Sequence, residues 1–321
     1  MISVVVPIYN EEEIIPRLHH EIRQAMRQVG QPWEVVYVND GSRDRTLELL
    51  HECQQGDPHV VIVELSRNWG HQPALSAGLS IAQGDAVVWI DGDLQDPPTL
   101  IPELVQAWKN GAEVVVAQRR SRPEKGLRGW CFRVFYRVLG LLSDFPIPLN
   151  AGIFGLLDRK AVDAINDLRE SNRYLPGLRS WVGYRSAVVF YDRADRAAGE
   201  PKQSFIKLLK YGLDAIFSFS YKPLRFSLFA GAGLACLSFL SGLVLILCRL
   251  ANIGLFGQPV VAGYTSIIVA VLFFSGIQLF SIGVLGEYIG RIYDEVKQRP
   301  LYIIRHVYKA PLNSYTLQDA A

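Results

Sequence analysis

The chain has 321 residues, half of them hydrophobic, with a formal net charge of +2. That length holds one large domain or two small ones, and so mild a charge gives no case for nucleic acid as a partner. The apolar residues are unevenly placed: 226–248 is a run of 23 residues without a charge, 250–286 is a second uncharged run, and nothing comparable occurs before residue 220. A hydrocarbon core of about 30 Å takes about 20 helical residues, so each run can span a membrane once.

Residues 2–8 are β-branched and apolar and end at Tyr9-Asn10-Glu11-Glu12. No basic-then-apolar leader precedes them, so a soluble domain with an anchor behind it is expected. Ile14, Leu18, Ile22, Ala25, Met26 and Val29 follow at helical spacing. Residues 33–38 read as a second buried strand, ending at Asn39-Asp40-Gly41-Ser42, and 60–65 as a third, ending at Ser66-Arg67-Asn68-Trp69-Gly70-His71. A helix follows each of them, then a fourth strand over 86–90 and a fifth over 113–117. Strands alternating with helices of this length predict a parallel, doubly wound sheet. Each strand ends in a polar cluster, and ligands bind beyond the carboxyl ends of such strands.

The fourth strand ends in Asp91-Gly92-Asp93-Leu94-Gln95-Asp96, three carboxylates and an amide within six residues. Gly92 lets the backbone turn tightly, so that Asp91 and Asp93 converge. Hard oxygen ligands suit Mg²⁺ or Mn²⁺, which completes its shell with water and substrate phosphates. The competing reading is a solvated acidic turn, with Pro97 and Pro98 starting a helix. Asp40 is either an acceptor for a nucleobase N–H or a cap in a good Asp-Gly-Ser turn. Glu11 and Glu12 sit in a first helical turn, where the macrodipole alone favours them. A lone His near a helix start, as His71 is, is more often structural than catalytic.

Four cysteines (Cys53, Cys131, Cys236, Cys248) form no Cys-x-x-Cys pair, which fits neither a zinc site nor a disulfide framework and points to a reducing compartment. Lys207, Lys210, Lys222 and Arg225 precede the apolar runs, and Arg291, Lys297, Arg299, Arg305 and Lys309 follow them. The connector 249–264 holds one Arg and no Lys, so both termini are expected on the cytoplasmic side.

The motifs Val5–Glu12, Val38–Asp44, Ser66–Gln72 and Asp91–Pro98 resemble those of family 2 glycosyltransferases with a GT-A fold. More narrowly they resemble polyprenyl-phosphate sugar transferases, the group of dolichol-phosphate mannose synthase and bactoprenol glucosyltransferase. The likeness continues through 191–202, the apolar runs and Gly286–Val296. It implies a GT-A catalytic domain over 1–200, an amphipathic juxtamembrane segment over 201–224, two transmembrane helices within 225–290 and a cytoplasmic tail over 291–321. Pro7, Tyr9, Glu11 and Asp40 would hold the nucleotide, with Asp91, Asp93 and Gln95 around a metal on its diphosphate. Arg119, Arg128 and Arg196 would contact phosphate, in a segment whose competing reading is a solvated charged face. The partners implied are a nucleotide sugar, UDP-glucose first and GDP-mannose as the alternative, and a polyprenyl phosphate at the inner membrane. Inverting hexosyl transfer is the implied reaction.

Relatives often carry an acidic residue and an Arg where this chain has Ile153 and Gly155. Asp158 then becomes the candidate catalytic or acceptor-side carboxylate, with a helix N-cap as its rival role. Residues 204–219 place Phe205, Leu208, Leu209, Leu213, Ile216 and Phe217 on one side, as an interfacial helix would. Gly231, Ala232, Gly233 and Ala235 admit close helix approach, which leaves a homo-oligomer, a tetramer included, open. A processive polysaccharide synthase is disfavoured, because no Gln-x-x-Arg-Trp motif occurs. A non-catalytic nucleotide-sugar-binding protein is disfavoured by the presence of both Asp91 and Asp93.

Overall fold

The computed structural model describes residues 1–120, 151–168, 170–171, 173–191, single positions between 224 and 240, and 264–309. Four strands form the centre: β1 (Ile2–Ile8), β2 (Trp33–Asn39), β3 (Val60–Leu65) and β4 (Ala86–Trp89). All of their residues are buried, as continuous apolar runs covered on both faces require. Helices α1 (Ile15–Val29), α2 (Thr46–Gly56), α3 (His71–Ile81) and α4 (Ile101–Lys109) cover them. In α1 the buried set is Ile15, Leu18, Ile22, Ala25 and Met26, with Pro16 in the first turn and Gly30 closing the helix in a left-handed conformation.

Beyond these lie β5 (Val114–Arg119), β6 (Ala151–Asp158), α5 (Arg159–Asp167), α6 (Leu175–Trp181), β7 (Ser186–Tyr191), α7 (Tyr264–Val296) and β8 (Ile304–Tyr308). The sheet has eight strands in the order β7-β5-β6-β4-β1-β2-β3-β8. It is mostly parallel, as expected, with two reversed strands that the sequence did not reveal. β6 runs antiparallel between β4 and β5, and β8 runs antiparallel beside β3. A hydrophobic run specifies burial but not direction, so the reversal was not readable from the strands themselves.

The chain forms two compact units, Met1–Gly140 with Phe145–Leu208 and Gln298–Ala321, and Leu141–Asp144 with Leu209–Lys297. Residues 291–321, expected as a tail, therefore return a strand to the catalytic sheet. In the second unit α7 has 33 residues, about 50 Å of helix. Within it Phe273–Val296 is long and apolar enough to cross a membrane, the one such helix among the described residues. Ile267, Leu279, Phe280, Ile282 and Ile292 are all exposed along α7, an apolar surface of the kind lipid covers. The described positions between 224 and 240 are helical too, while the amphipathic segment 204–219 lies outside the described residues.

Asp57 ties α1 to the edge of the sheet opposite the strand ends that carry the polar motifs. Its buried carboxylate accepts from His59 Nδ1 at 2.7 Å and from the His59 amide at 3.0 Å, and it faces His19 at 3.4 Å and Arg23 at 3.6 Å. Burial alone would push this carboxyl up, but the bonds from His19 and His59 outweigh it and hold it well below the usual range. The folded state thus keeps the charge to lower pH than the unfolded chain, whose value is about 3.9. The stabilisation is complete above that value and is lost as pH falls below it. Asp57→Asn is expected to cost on the order of 3 kcal/mol at neutral pH and to flatten the stability profile below about pH 4. Urea denaturation of wild type and variant across that range measures both.

Candidate functional site

The chain runs from β1 outward to β2 and β3, then returns to the other side of β1 as β4. Such a switch point leaves a crevice beyond the strand ends. Ile90 N–H donates to Val5 O at 3.1 Å, and Asp40 N–H donates to Ile8 O at 2.9 Å. Odd residues of β1 therefore face β4 and even ones face β2. Pro7 faces β4 just past the last bond of that ladder, where its missing N–H costs nothing and the strands part. Gly92 closes in from the other side: a Cβ there would lie 3.2 Å from Pro7 O. Tyr9, at the mouth of the crevice, is 42% exposed, an aromatic face free to stack on a planar group.

The loops after β1 and β2 are stitched together. Asn10 N–H donates to Ser42 Oγ at 3.0 Å, Arg43 N–H to Asn10 Oδ1 at 2.8 Å, and Glu11 N–H to Thr46 Oγ1 at 3.0 Å. Glu12 accepts from Arg45 N–H at 2.9 Å, so its carboxylate serves the loop. Asp40 is buried, and its two oxygens accept from the backbone N–H groups of Trp69 and Gly70 at 2.7 and 2.9 Å. Burial pushes its carboxyl up, and those bonds offset the rise only in part. Asp40 thereby holds the loop after β3 against the loop after β2. Gly41 permits the close approach: its φ is +67°, and a Cβ there would lie 2.5 Å from the backbone of Arg67.

His71 opens α3, and its Nε2–H donates to Asp91 Oδ1 at 2.8 Å. Burial pulls the imidazole down, but the hydrogen bond and charge of Asp91, with Asp40 and Asp93 nearby, outweigh it and raise its pKa. A hydrogen bond of this kind fixes the orientation of the Asp91 carboxylate, a job that the reading of a lone His near a helix start did not foresee. Asp93 Oδ1 accepts from the Gln95 amide at 3.1 Å, which folds the turn back on itself. Leu94 sits between them at φ +55°, a left-handed conformation unusual for Leu and held by packing on the core.

Among the described residues no three His, Cys, Asp or Glu side chains converge as a metal cage. The donor set here is two carboxylates and an amide. Gln95 is 4% exposed, and its Nε2 finds no partner among the described residues. Turning that amide over presents an oxygen instead, and two carboxylates with one amide oxygen fit Mg²⁺ or Mn²⁺ with water and phosphate completing the shell.

The glycosyl transferase family 2 pattern matches residues 3–165, and a GtrB C-terminal hairpin pattern matches 222–292. An uncharacterized glycosyltransferase of Bacillus subtilis is 45% identical over 307 residues, 95% of this chain and 94% of that one. A bactoprenol glucosyl transferase of Shigella phage SfII is 45% identical over 95% of this chain and 97% of its own length. A prophage bactoprenol glucosyl transferase homolog of Escherichia coli is 42% identical over 96% and 99%. The chain belongs to glycosyl transferase family 2. Its fold is the GT-A-like mixed sheet of that family.

In this glycosyltransferase the sheet gathers Pro7, Tyr9, Glu11, Asp40, Asp91, Asp93, Gln95 and Arg119 at one edge, since β4 and β5 end there as well. Asp158 is not among them. It pairs with Ala86 at the start of β4, the opposite edge of the sheet. There it caps α5 through Lys160 N–H at 3.0 Å and accepts from Trp108 Nε1 at 2.8 Å. Of its two expected roles, the cap is the one observed, because β6 runs antiparallel. Arg128 and Arg196 lie outside the described residues. A cleft of about 430 Å³ opens on the β2–β3–β8 side, with Arg43, Arg67 and Arg305 among its lining residues, away from Asp91 and Asp93.

The sequence reading missed Arg179 of α6. It is 2% exposed, it donates to the carbonyls of Gly152 and Ile153 at 3.3 Å, and its guanidinium faces the Trp89 ring. Burial pushes its pKa down to about 10. A Cβ on Gly155 would collide with Val115 O and stand 3.4 Å from Arg179 Nη1, so the Val115 backbone bars a side chain there, with Arg179 behind it. Its signal in the sequence is only a basic residue in a short helix, which reads as surface.

Proposed function

We propose that this family 2 enzyme transfers glucose from UDP-glucose to the phosphate of a polyprenyl phosphate, with inversion, at the cytoplasmic face of the inner membrane. The observation that carries the proposal is the set Asp91, Asp93, Gln95 and Arg119 at one sheet edge, in a chain that also carries a long apolar helix exposed among the described residues. The names of the Shigella phage and E. coli relatives, with likeness over nearly their whole length, support the sugar and the lipid class.

Pro7, Tyr9, Glu11 and Asp40 receive the nucleotide, Tyr9 by stacking and Asp40 by holding the loop after β3. A divalent ion on Asp91, Asp93 and Gln95 would offset the charge of the departing nucleoside diphosphate. Arg119, with Arg128 and Arg196, holds the acceptor phosphate through charge-assisted bonds. A phosphate oxygen attacks the anomeric carbon as the bond to the diphosphate oxygen breaks. An α-linked donor gives a β-linked lipid phosphate sugar. The nucleophile is already ionised, so no general base is needed, which agrees with Asp158 serving as a cap.

Parity supports the proposed topology. β3 and β8 pair in one sheet, and a sheet cannot straddle a bilayer. The chain between β7 and β8 therefore crosses an even number of times. With α7 proposed as one crossing, the apolar run 226–248 is the candidate for the other.

The test presents the purified enzyme with undecaprenyl phosphate and, in turn, labelled UDP-glucose and GDP-mannose. The expected result is a labelled lipid from UDP-glucose, β-linked by the anomeric coupling in its NMR spectrum. A preference for GDP-mannose, or an α-linked product, overturns the proposal.

A further inference from the structure

Three side chains meet where the loop after β4, the end of β5 and the end of β7 come together. Asp96, the last carboxylate of the acidic turn, is 1% exposed. Tyr191 Oη donates to Asp96 Oδ1, Arg119 Nε donates to Tyr191 Oη at 3.0 Å, and Arg119 Nη2 reaches Asp96 Oδ1 at 3.4 Å. Arg119 and Tyr191 are also direct partners in the β5–β7 register. Phe154 stands edge-on to the Tyr191 ring at 5.8 Å between centroids, which fixes the ring from the side. Burial and the Asp96 charge raise the pKa of the Tyr191 hydroxyl, so it stays a donor.

The triangle uses one edge of the guanidinium, Nε and Nη2, and leaves Nη1 to point outside it. A planar fork held along one edge has its remaining donors aimed, which suits a phosphate. Two features assign that phosphate to the acceptor. β5 lies two strands from β4, about 10 Å at the usual strand spacing. The Arg119 backbone is therefore set to the side of the crevice between β1 and β4, and its side chain reaches back only to Asp96 at the end of the turn. Tyr191 is the last residue of β7, from which the chain leads on to the membrane-spanning part.

We infer that Asp96 and Tyr191 are positioning residues, which hold Arg119 as the anchor of the lipid phosphate at a set distance from the turn that carries Asp91 and Asp93. The inference rests on the proposed transfer to a lipid phosphate. Asp96 belongs to the donor-side turn and Arg119 to the acceptor side, so the triangle sets the spacing between the two reactants.

Steady-state kinetics of the full-length enzyme in detergent, with undecaprenyl phosphate and UDP-glucose varied separately, tests it. Tyr191→Phe keeps the ring packing and removes both hydrogen bonds of the hydroxyl, the one to Asp96 and the one from Arg119. It is expected to raise KM for the lipid about tenfold and to leave KM for the donor unchanged, and Asp96→Asn acts in the same direction. In an Arg119→Ala background, Tyr191→Phe is expected to have no further effect on lipid KM, since the group it positions is gone. Additive losses in that background, or a rise in donor KM in place of lipid KM, would overturn the inference and leave the transferase reading intact. If the wild-type enzyme forms no lipid product, the reading itself fails and the inference with it.

Discussion

Asp93→Asn is expected to lower transfer at least about a hundredfold without unfolding the protein. Asp93 Oδ1 accepts from the Gln95 amide, and the Asn side chain keeps a carbonyl oxygen in that place, so the turn survives. What disappears is one unit of negative charge from a set of two carboxylates and an amide. A metal on a departing diphosphate stabilises the transition state by several kcal/mol, and each ~1.4 kcal/mol is tenfold in rate. Removing the ligand charge therefore lowers the rate without lowering stability. The melting temperature should match wild type while turnover collapses, and excess EDTA should do the same to the wild-type enzyme. Normal turnover in excess chelator would remove the metal from the account.

A cysteine introduced at Gln258 is expected to react with a membrane-impermeant thiol reagent in intact cells, and one at Gln28 to stay unlabelled until the cells are opened. The background is a variant lacking Cys53, Cys131, Cys236 and Cys248. The effect is all-or-none, because Gln258 lies in the poorly charged connector between the two apolar runs, and Gln28 lies in α1 of the sheet domain. The strands before and after the apolar runs share one sheet, through the pairing of β8 with β3, as the proposed outward connector expects. Reversed labelling would separate the site from cytosolic nucleotide sugar. Labelling at neither position would remove the outward connector.

The four central strands were legible because each is a continuous apolar run closed by a polar cluster, and burial on both faces leaves no other reading. So was β5, read over 113–117, but the strands after it were not. Residues 151–158 read as a departure from a motif rather than as a strand, and Ile304–Tyr308 is a short edge strand with Arg305 and His306 inside it. β6 decides the fate of Asp158: its direction places that carboxylate at the far edge, and direction is a tertiary property. The contacts of Asp40 with Trp69 and Gly70, 29 and 30 residues away, and of His71 with Asp91, 20 residues away, were invisible for the same reason. The second apolar run was legible as a helix, but α7 continues ten residues past it to Val296. Polar pairs such as Arg291 with Glu287 at 2.9 Å, one turn apart, extend it beyond the uncharged stretch.

The proposed reaction moves a sugar onto a lipid phosphate at this sheet edge. Its most direct measurement is the transfer of label from UDP-[¹⁴C]glucose into an organic extract by the purified enzyme in liposomes, with and without undecaprenyl phosphate. Label is expected in the organic phase only when the lipid phosphate is present, and none with Asp93→Asn. Free glucose released into the aqueous phase with no labelled lipid, or label in the lipid phase without undecaprenyl phosphate, would contradict it.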